Sequence, residues 1–382
     1  MRRILTGLLL TILTCSLGMG QGKGKAPAGG RGAAAQLGYE VRADRTVVFR
    51  LRAAEATAVA VTGDFADGAT LMTKGADGMW TATVGPLRPA LYNYAFTVNG
   101  ARVLDPASPM IGTADRNPGS SLFEVKADAP APWDPQNVPH GTVHVNYYNS
   151  KHFGGALRMV YVYTPPGYES SSARYPAMYL MHGAGGNESS WVTAGRANII
   201  LDNLIAQGKA KPMIVVMPYG RAGTSTTLDP SPAAPTAPGA PTFPQDVVED
   251  VIPFVEKLYR ITANDDSRAV AGLSMGGNQT LQLGLSHLDT FHYIGAFSPV
   301  IFNATVDQDH AAAFADVAAT NKKLKLFHIY IGDTDTLLDS NKSYHALLDQ
   351  RGVKHTFILT KEGHVWRNWR DYLVDFAPRL FR

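Results

Sequence analysis

Cysteine is almost absent from this sequence: Cys15 is the only one among 382 residues. A single cysteine excludes an intramolecular disulfide framework. The lack of cysteine pairs and of an H-E-x-x-H motif excludes the common zinc-site patterns. We therefore predict neither a metal nor another cofactor for this chain.

Charge of either sign is also sparse, since charged residues make up 18% of the chain and the formal net charge is +3. Residues 1–36 hold five basic residues and no acidic one, so residues 37–382 carry a net charge of −2 once those five are subtracted. A nearly neutral body lacks the basic surface that binds nucleic acid. Nucleic acid is therefore not expected as a partner.

The first 20 residues read as a secretory signal peptide. Arg2 and Arg3 precede ILTGLLLTILTCSLG, an apolar run too short to span a bilayer, and small residues follow. Leu13 and Thr14 before Cys15 fit a lipoprotein signal poorly. Cleavage near Gly20 followed by a flexible linker over residues 21–36 predicts a secreted or periplasmic protein of bacterial type, without a lipid anchor or membrane contact.

Residues 37–127 alternate apolar and polar side chains in short runs separated by turn signals. Asp67-Gly68, Asp77-Gly78 and Asn99-Gly100 are three such turns. This pattern predicts a small antiparallel β-sandwich. The proline-rich segment 128–140 is expected to be a linker.

From residue 141 to residue 382, strand patterns alternate with helix patterns. This alternation predicts an α/β domain whose central sheet is mostly parallel and covered by helices on both faces. A Pro/Ala/Thr-rich stretch over residues 221–246 interrupts it. That stretch is either a loop on the substrate side or a plain insertion.

The stretch AGLSMGGN brackets one serine, Ser274, with Gly272 and Gly276. Such bracketing is typical of the G-x-S-x-G nucleophile elbow, although a glycine-rich turn with an incidental serine has the same residues. RAVAGL before the serine reads as a strand, and Met275 to Ser286 read as a helix. A serine at a strand-to-helix junction indicates a nucleophile.

A serine nucleophile needs a base, and the base needs an acid to orient it. His364 comes directly after the final predicted strand, which is where the base belongs when the chain order is Ser, Asp, His. The alternative interpretation of His364 is a surface histidine that caps the last helix. The acid follows the strand LFHIYIG, where Asp333 and Asp335 are both candidates.

An oxyanion hole needs two backbone N–H donors. The N–H of Met275 directly follows the serine. The loop MHGAGGN, residues 181–187, is expected to supply the second donor. A phosphate-binding loop is the competing interpretation of these glycines, but no Gly-Lys-Ser/Thr sequence follows them.

These motifs together resemble carbohydrate esterase family 1, which comprises feruloyl and acetylxylan esterases, and its enterochelin esterase and esterase D relatives. The motifs are MHGAGGNESSW, GRANIILDNLIAQGKAKPMIVVMP, AGLSMGG, IGDTD and EGHVWRNWRDYLVDFAPRLF. The resemblance covers residues 140–381 and implies an α/β-hydrolase fold. Residues 39–126 resemble the immunoglobulin-like, glycogen-binding-type domain that often precedes such esterases.

The resemblance implies a role for each matching residue. Ser274 would be the nucleophile and His364 the general base. Asp335 would be the acid, because the family pattern Gly-x-x-Asp maps onto residues 332–335. The backbone amides of Ala184 and Met275 would form the oxyanion hole. Glu362 departs from the Gly-Gly-His that this family commonly has there.

The predicted function is a secreted serine esterase acting on acylated plant polysaccharide, with feruloyl esters ahead of acetyl esters. Five residues are candidates for binding the substrate: His182, Gly183, Trp191, Tyr219 and Trp366. The alternatives are an enterochelin-type siderophore esterase, a sugar acyltransferase and, from another class, a carbohydrate-binding protein whose β-sandwich does the binding. The oligomeric state stays open.

Overall fold

A computed structural model of the chain describes residues 38–112, 119–225, 228 and 243–382. The signal peptide and linker predicted over residues 1–36 lie outside these residues, as does most of the 221–246 segment. Its last residues are described and are helical, because a helix begins at Phe243. Among the described residues, no helix is long and apolar enough to cross a membrane.

Among the described residues, nine short strands form the N-terminal sandwich. They are β1 (Tyr39–Val41), β2 (Val47–Arg52), β3 (Val59–Gly63), β4 (Ala69–Leu71), β5 (Thr73–Lys74), β6 (Met79–Val84), β7 (Ala90–Val98), β8 (Ala101–Val103) and β9 (Ser121–Val125). One sheet has the order β1-β2-β6-β5, and the other has the order β4-β3-β7-β8 with β9 paired to β7. All these pairings are antiparallel, as the alternating pattern predicted.

Aromatic rings fill the space between the two sheets. The Phe49 ring lies 5.5 Å from that of Phe123 and 5.1 Å from that of Tyr94. Strand β7 is buried on both faces rather than on one, because Leu91 on its other side packs against Ala194 of the C-terminal part. The sandwich is therefore packed against the second half of the chain.

An eight-stranded sheet organises that second half. Its strands are β10 (Thr142–Ser150), β11 (Ala156–Thr164), β12 (Ala177–Met181), β13 (Ile214–Pro218), β14 (Arg268–Leu273), β15 (Tyr293–Phe297), β16 (Leu326–Gly332) and β17 (Thr356–Thr360). Their order is β10-β11-β13-β12-β14-β15-β16-β17. The pairs β10–β11 and β11–β13 are antiparallel, and all others are parallel.

Helices cover both faces of this sheet. They are α1 (Ser190–Thr193), α2 (Ala197–Ala206), α3 (Phe243–Asp246), α4 (Ile252–Leu258), α5 (Met275–Ser286), α6 (Val306–Asp309), α7 (Ala311–Ala315), α8 (Val317–Lys323), α9 (Leu338–Arg351) and α10 (Trp366–Phe376). A π-helical turn, Val247–Val251, joins α3 to α4, and short 3-10 turns lie at Asp265–Ser267 and Ala377–Arg379.

Successive residues of the central strands face opposite layers. Tyr179 and Met181 of β12 belong to the core with α4, α5 and α9, whereas Met178 and Leu180 belong to the core with α2 and α10. In the sequence, strands that are buried on both faces appear as continuous apolar runs. The predicted α/β-hydrolase fold with a mostly parallel sheet and a preceding β-sandwich is confirmed.

The segment predicted as a linker, 128–140, is packed against α2. The Asn203 side chain donates to the carbonyls of Pro132 and Asp134, at 2.8 and 2.9 Å. Trp133 is 8% exposed and belongs to the core beside α2 and α10. The boundaries given above for the domains stay predictions.

Candidate active site

Ser274 stands at the junction of β14 and α5 with a strained backbone. Its φ and ψ are 56° and −115°, a conformation that side-chain-bearing residues rarely adopt. The flanking glycines are required by close packing. A Cβ on Gly272 would lie 2.6 Å from the carbonyl oxygen of Gly276, and one on Gly276 would lie 2.5 Å from that of His182.

Backbone hydrogen bonds hold the serine in this conformation. Its N–H donates to the carbonyl of Phe297 at 2.9 Å, and its carbonyl accepts from the N–H groups of Asn278 and Val300 at 3.1 Å. Such strain costs of order 1–3 kcal/mol and persists only where the surroundings determine the conformation. Ser274 is thus held by the next strand and the loop after it.

Asp335 and His364 form a hydrogen-bonded pair. The Nδ1 atom of His364 lies 2.9 Å from Oδ2 and 3.2 Å from Oδ1 of Asp335. The Asp335 side chain is fully buried, whereas the histidine side chain is 27% exposed. The N–H of Leu337 donates to the same carboxylate at 2.9 Å.

The carboxyl of Asp335 is held in its ionised form. Burial raises its pKa, but the hydrogen bond and charge of His364, the Leu337 N–H and the Ser298 hydroxyl together bring the pKa below its ordinary value. An ionised carboxylate on Nδ1 fixes the ring orientation and favours the tautomer with the proton on Nδ1.

Asp333, the other candidate acid, points elsewhere. Its carboxylate accepts from the backbone N–H of Glu362 at 2.9 Å and from the ammonium of Lys361 at 2.9 Å. The Lys361 hydrogen bond lowers the pKa of Asp333. The structure therefore brings Asp335, and not Asp333, to the histidine, while Asp333 ties down the start of the histidine loop.

The histidine loop, residues 361–365, is fixed from several sides. The Asn368 side chain donates to the carbonyls of Lys361 and Gly363, both at 3.0 Å. Gly332 lets this loop approach β16 closely, since a Cβ there would lie 1.8 Å from the carbonyl oxygen of Glu362. The His364 ring stands edge-on to Trp369 with centroids 5.0 Å apart.

Ser274 and His364 line one cavity of about 210 Å³. Its other lining residues are Asn93, Gly183, Ala184, Gly185, Gly186, Ser190, Leu273, Trp366 and Trp369. Two tryptophans and a leucine provide apolar walls, and the glycine turn provides a backbone wall. This combination suits a small molecule with an apolar body and a few polar groups.

The predicted oxyanion donors lie beside this cavity. Ala184 is part of its lining, and Met275 is the first residue of α5, where a backbone N–H has no acceptor within the helix. The glycine turn is shaped by Gly185 at a φ of 77° and by the hydrogen bond from Gly186 N–H to the Gly183 carbonyl at 3.1 Å.

Three of the five predicted substrate residues, Trp191, Tyr219 and His182, do not line the cavity, and a substrate role for them stays a prediction. Trp191 is 1% exposed, and its indole N–H donates to the Met181 carbonyl at 2.9 Å. Tyr219 is equally buried and stacks on His182 with ring centroids 5.8 Å apart. Gly183 and Trp366 do line the cavity.

His182 supports the glycine turn from behind. Its Nδ1 lies 2.8 Å from the Gly183 carbonyl, and its Nε2 accepts from the Gly220 N–H at 2.8 Å. Burial lowers the pKa of His182 to about 4. A neutral imidazole therefore supports the turn, since only the neutral ring can accept from Gly220.

Asn93 is, like Ser190 and Leu273, a cavity residue that the sequence did not indicate. It belongs to β7 of the sandwich, which the sequence treats as a separate domain. The one available signal was a polar residue inside the apolar run LYNYAF. Nothing in that local pattern indicates which neighbour it faces.

Two clusters of His and Asp residues in the described part of the chain have metal-ligand spacing, namely His345, Asp349 and His355, and Asp265, Asp266 and His292. Neither cluster shares a residue with the cavity lining. In the second, Asp266 is already paired with Lys325 at 2.6 Å. The chemistry of the cavity is therefore derived from its own side chains and amides.

Comparison with known families agrees with this geometry. The family described as putative esterase matches residues 150–380. The chain belongs to this esterase family. Carbohydrate-binding module 48, the isoamylase N-terminal domain, matches residues 36–110 of the same esterase.

Relatives of this esterase carry related names. The endo-1,4-beta-xylanase/feruloyl esterase of Xylanibacter ruminicola is 31% identical over 346 residues, which are 87% of this chain and 44% of that protein. A solved ferulic acid esterase is 26% identical with a TM-score of 0.55, covering 63% of this chain and 97% of that one. The chain thus spans less than half the length of that curated relative.

Another solved structure extends the likeness in fold across the sandwich. The enterobactin esterase of Shigella flexneri, solved in the presence of enterobactin, has a TM-score of 0.67, covering 90% of this chain and 96% of that chain. At 18% identity this likeness concerns the fold alone.

Proposed function

We propose that this chain is a serine carboxylesterase that cleaves feruloyl esters of plant polysaccharide. The observation that carries the proposal is the cavity shared by the strained Ser274 and by His364, whose Nδ1 lies 2.9 Å from the buried Asp335 carboxylate. A serine, an imidazole and an orienting carboxylate are the parts that acyl transfer needs.

Each part has a defined task in the proposed reaction. The Ser274 hydroxyl attacks the ester carbonyl as Nε2 of His364 takes its proton, and the C–O bond to the alcohol then breaks as the same nitrogen returns the proton to the departing oxygen. Water next attacks the acyl-enzyme with His364 again as base, which releases the acid and restores Ser274. Asp335 stabilises the imidazolium in both halves.

The negative charge that develops on the carbonyl oxygen would be met by the N–H groups of Ala184 and Met275. Each such donor contributes about 3 kcal/mol of transition-state stabilisation. The close packing of Gly272 and Gly276 holds the serine against the end of β12, directly before the glycine turn. This arrangement supports the assignment of these two amides.

The acyl preference is proposed from the walls of the cavity. Trp366, Trp369 and Leu273 offer an apolar surface, and the volume of about 210 Å³ is more than an acetyl group fills. Aromatic rings pack favourably on such surfaces. The name of the Xylanibacter ruminicola relative, which includes feruloyl esterase, supports the same choice.

The siderophore alternative is less well supported. Of the described residues that line the cavity, none is a lysine or an arginine. Catecholate siderophores carry negative charge, and a site built for them is expected to present cations. A neutral feruloyl ester has no such requirement.

The test compares the hydrolysis of methyl ferulate and p-nitrophenyl acetate by the wild type and Ser274→Ala. Ferulate turnover that falls by about ten-thousand-fold in the variant would support the proposal. Turnover of the acetate alone would assign the triad to a short-acyl esterase instead. Ester exchange onto a sugar that outpaces hydrolysis would indicate an acyltransferase, and equal rates in both proteins would reject Ser274 as the nucleophile.

A further inference from the structure

The sandwich reaches into the active-site cavity through one polar side chain. Asn93 lies in the middle of β7 and lines the same cavity as Ser274, His364 and Trp366. Beside the apolar walls and the glycine turn, it is the only amide side chain among the described lining residues. An amide can both donate to and accept from a hydroxyl group.

Asn93 is held in place by Asp64, which lies directly after β3. The Asp64 carboxylate accepts from the Asn93 backbone N–H at 2.9 Å and from its side-chain amide at 3.3 Å. The side-chain amide nitrogen has a second N–H, and its oxygen has two lone pairs. Asp64 therefore orients the group and still allows it to bind a ligand.

The same carboxylate is linked to the histidine loop. Arg367 of α10 forms an ion pair with Asp64 at 2.9 Å and donates to the Asp64 carbonyl at 2.8 Å. The Arg367 guanidinium also pairs with Glu362, which lies two residues before His364. Asn93, Asp64, Arg367 and Glu362 thus form a continuous polar chain that ends in the histidine loop, two residues before His364.

Asn93 and His364 line the same cavity, and the polar chain from Asn93 reaches the histidine loop. The imidazole that takes the serine proton returns it to the departing oxygen, so the alcohol leaves from the histidine side. When that alcohol is a sugar, its neighbouring hydroxyl groups can form hydrogen bonds with a fixed amide in the same cavity. A methyl ester has no such hydroxyl groups.

We propose that Asn93 is a specificity-determining residue that binds the sugar of the leaving alcohol, so that the sandwich forms part of the esterase site. The inference rests on the proposed ester hydrolysis and adds the alcohol side of the substrate. It requires that the two parts of the chain form one active site, because Asp64 and Asn93 come from the sandwich and Arg367 and Glu362 from the hydrolase part.

The experiment measures kcat/KM of the full-length protein on methyl ferulate and on a feruloylated arabino-oligosaccharide. Asn93→Ala keeps the backbone hydrogen bond to Asp64 and removes only the amide. We expect the ratio of the sugar ester to the methyl ester to fall about tenfold, the size of one or two lost hydrogen bonds. Asn93→Ser provides a second, smaller change whose ratio should fall in the same direction.

Thr83→Ala, an exposed position on the opposite sheet of the sandwich, is the matched control and should keep the wild-type ratio. An unchanged ratio in both Asn93 variants would overturn the inference while leaving the esterase proposal intact. Equal losses on both esters would also overturn it, since they would indicate a disturbed catalytic centre. A wild type that cleaves neither ester would overturn the proposed function, and the inference with it.

Discussion

The guanidinium of Arg88, in the sandwich, forms an ion pair with the carboxylate of Glu362, two residues before His364. Glu362 has a φ of 71°, in the left-handed region that favours glycine. Carbohydrate esterase family 1, which the sequence resembles, commonly has glycine at this position. Here the backbone cost of a glutamate is offset by ion pairs with Arg88 and Arg367, and the histidine loop becomes tied to the sandwich.

Two substitutions at Glu362 separate the charge from the backbone. Glu362→Gln keeps a side chain at a strained φ but removes the charge that Arg88 and Arg367 bind, so the loop should shift. Glu362→Gly removes the same charge but fits the left-handed backbone, so the loop should stay closer to its place. We expect kcat on methyl ferulate to fall about tenfold for Gln and less for Gly, since small misplacements of a catalytic group are costly.

The readout that identifies a positioning role is the split between kcat and KM. A displaced histidine slows the chemical step, so kcat should fall while KM changes little. Lys361→Gln, next to Glu362 but exposed and paired with Asp333, is the control and should keep most of the activity. A rise in KM with unchanged kcat in the Gln variant would contradict the positioning role.

Asp335 and Asp333 should respond very differently to the same substitution. Asp335→Asn leaves the geometry nearly unchanged but reverses the preferred imidazole tautomer, and the expected loss of kcat is about ten-thousand-fold. Asp333→Asn breaks contacts at the start of the histidine loop, so a loss of less than about tenfold is expected. Comparable losses in the two variants would show that the acid has been misassigned.

Local sequence patterns predicted much of the fold and pointed to residues that the structure brings together at the candidate site. The helix expected over residues 275–286 begins at Met275 and ends at Ser286, because a strand, two glycines and a regular apolar pattern all indicate the same junction. Chain order then brought Asp335 and His364 into consideration. The Nδ1 atom of His364 lies 2.9 Å from Oδ2 of Asp335. These features depend on residues close in sequence or on the order of parallel strands.

Features that depend on the packing of distant segments were not predicted. Trp191 and Tyr219 follow glycine-rich or strand-end positions that suit a pocket, but both side chains turn into the core. Which way a side chain turns there depends on the neighbouring layers and not on its own segment. The position of Asn93 in the cavity lining is of the same kind, because it requires β7 to pack beside α10. Leu91 of the same strand packs in a cluster with Ala194 and with Trp366 of α10.

The buried His182 should make stability depend on pH. Its folded-state pKa of about 4 lies below the ordinary value, so between about pH 6.5 and pH 4 the unfolded chain binds a proton that the folded chain does not. The stability supplied by the neutral ring is therefore complete above pH 6.5 and is lost as pH falls. One such group contributes a slope of up to about 1.4 kcal/mol per pH unit.

Urea unfolding measured at several pH values tests this dependence. His182→Gln should reduce the slope between pH 6.5 and pH 4 by about one proton. His328, whose pKa burial also lowers to about 4, provides a matched case in β16 away from the cavity. His328→Gln should reduce the slope by a similar amount, and the double variant should reduce it by about two protons. Unchanged slopes would mean that both rings bind protons as readily in the folded chain as in the unfolded chain.

Glu124 of β9 should be the most costly acidic residue to remove from the sandwich. Its carboxylate, 6% exposed, pairs with Arg370 of α10 at 3.0 Å and with Arg196 at 2.9 Å. Burial lowers the pKa of the Arg370 guanidinium to about 10, which indicates how much this buried cation depends on its partner. Removing one member of a buried pair leaves the other charge uncompensated, at a cost of about 3–5 kcal/mol.

Urea unfolding of Glu124→Ala should therefore show a loss of about 3 kcal/mol or more. The control is Glu40→Ala, which removes an ion pair with Arg50 inside the sandwich where the glutamate side chain is 51% exposed. An exposed pair contributes about 1 kcal/mol or less. Equal losses in the two variants would mean that the Glu124 pairs are as well solvated as a surface pair. A larger loss for Glu124→Ala with a single unfolding transition would indicate that the sandwich and the hydrolase part unfold together.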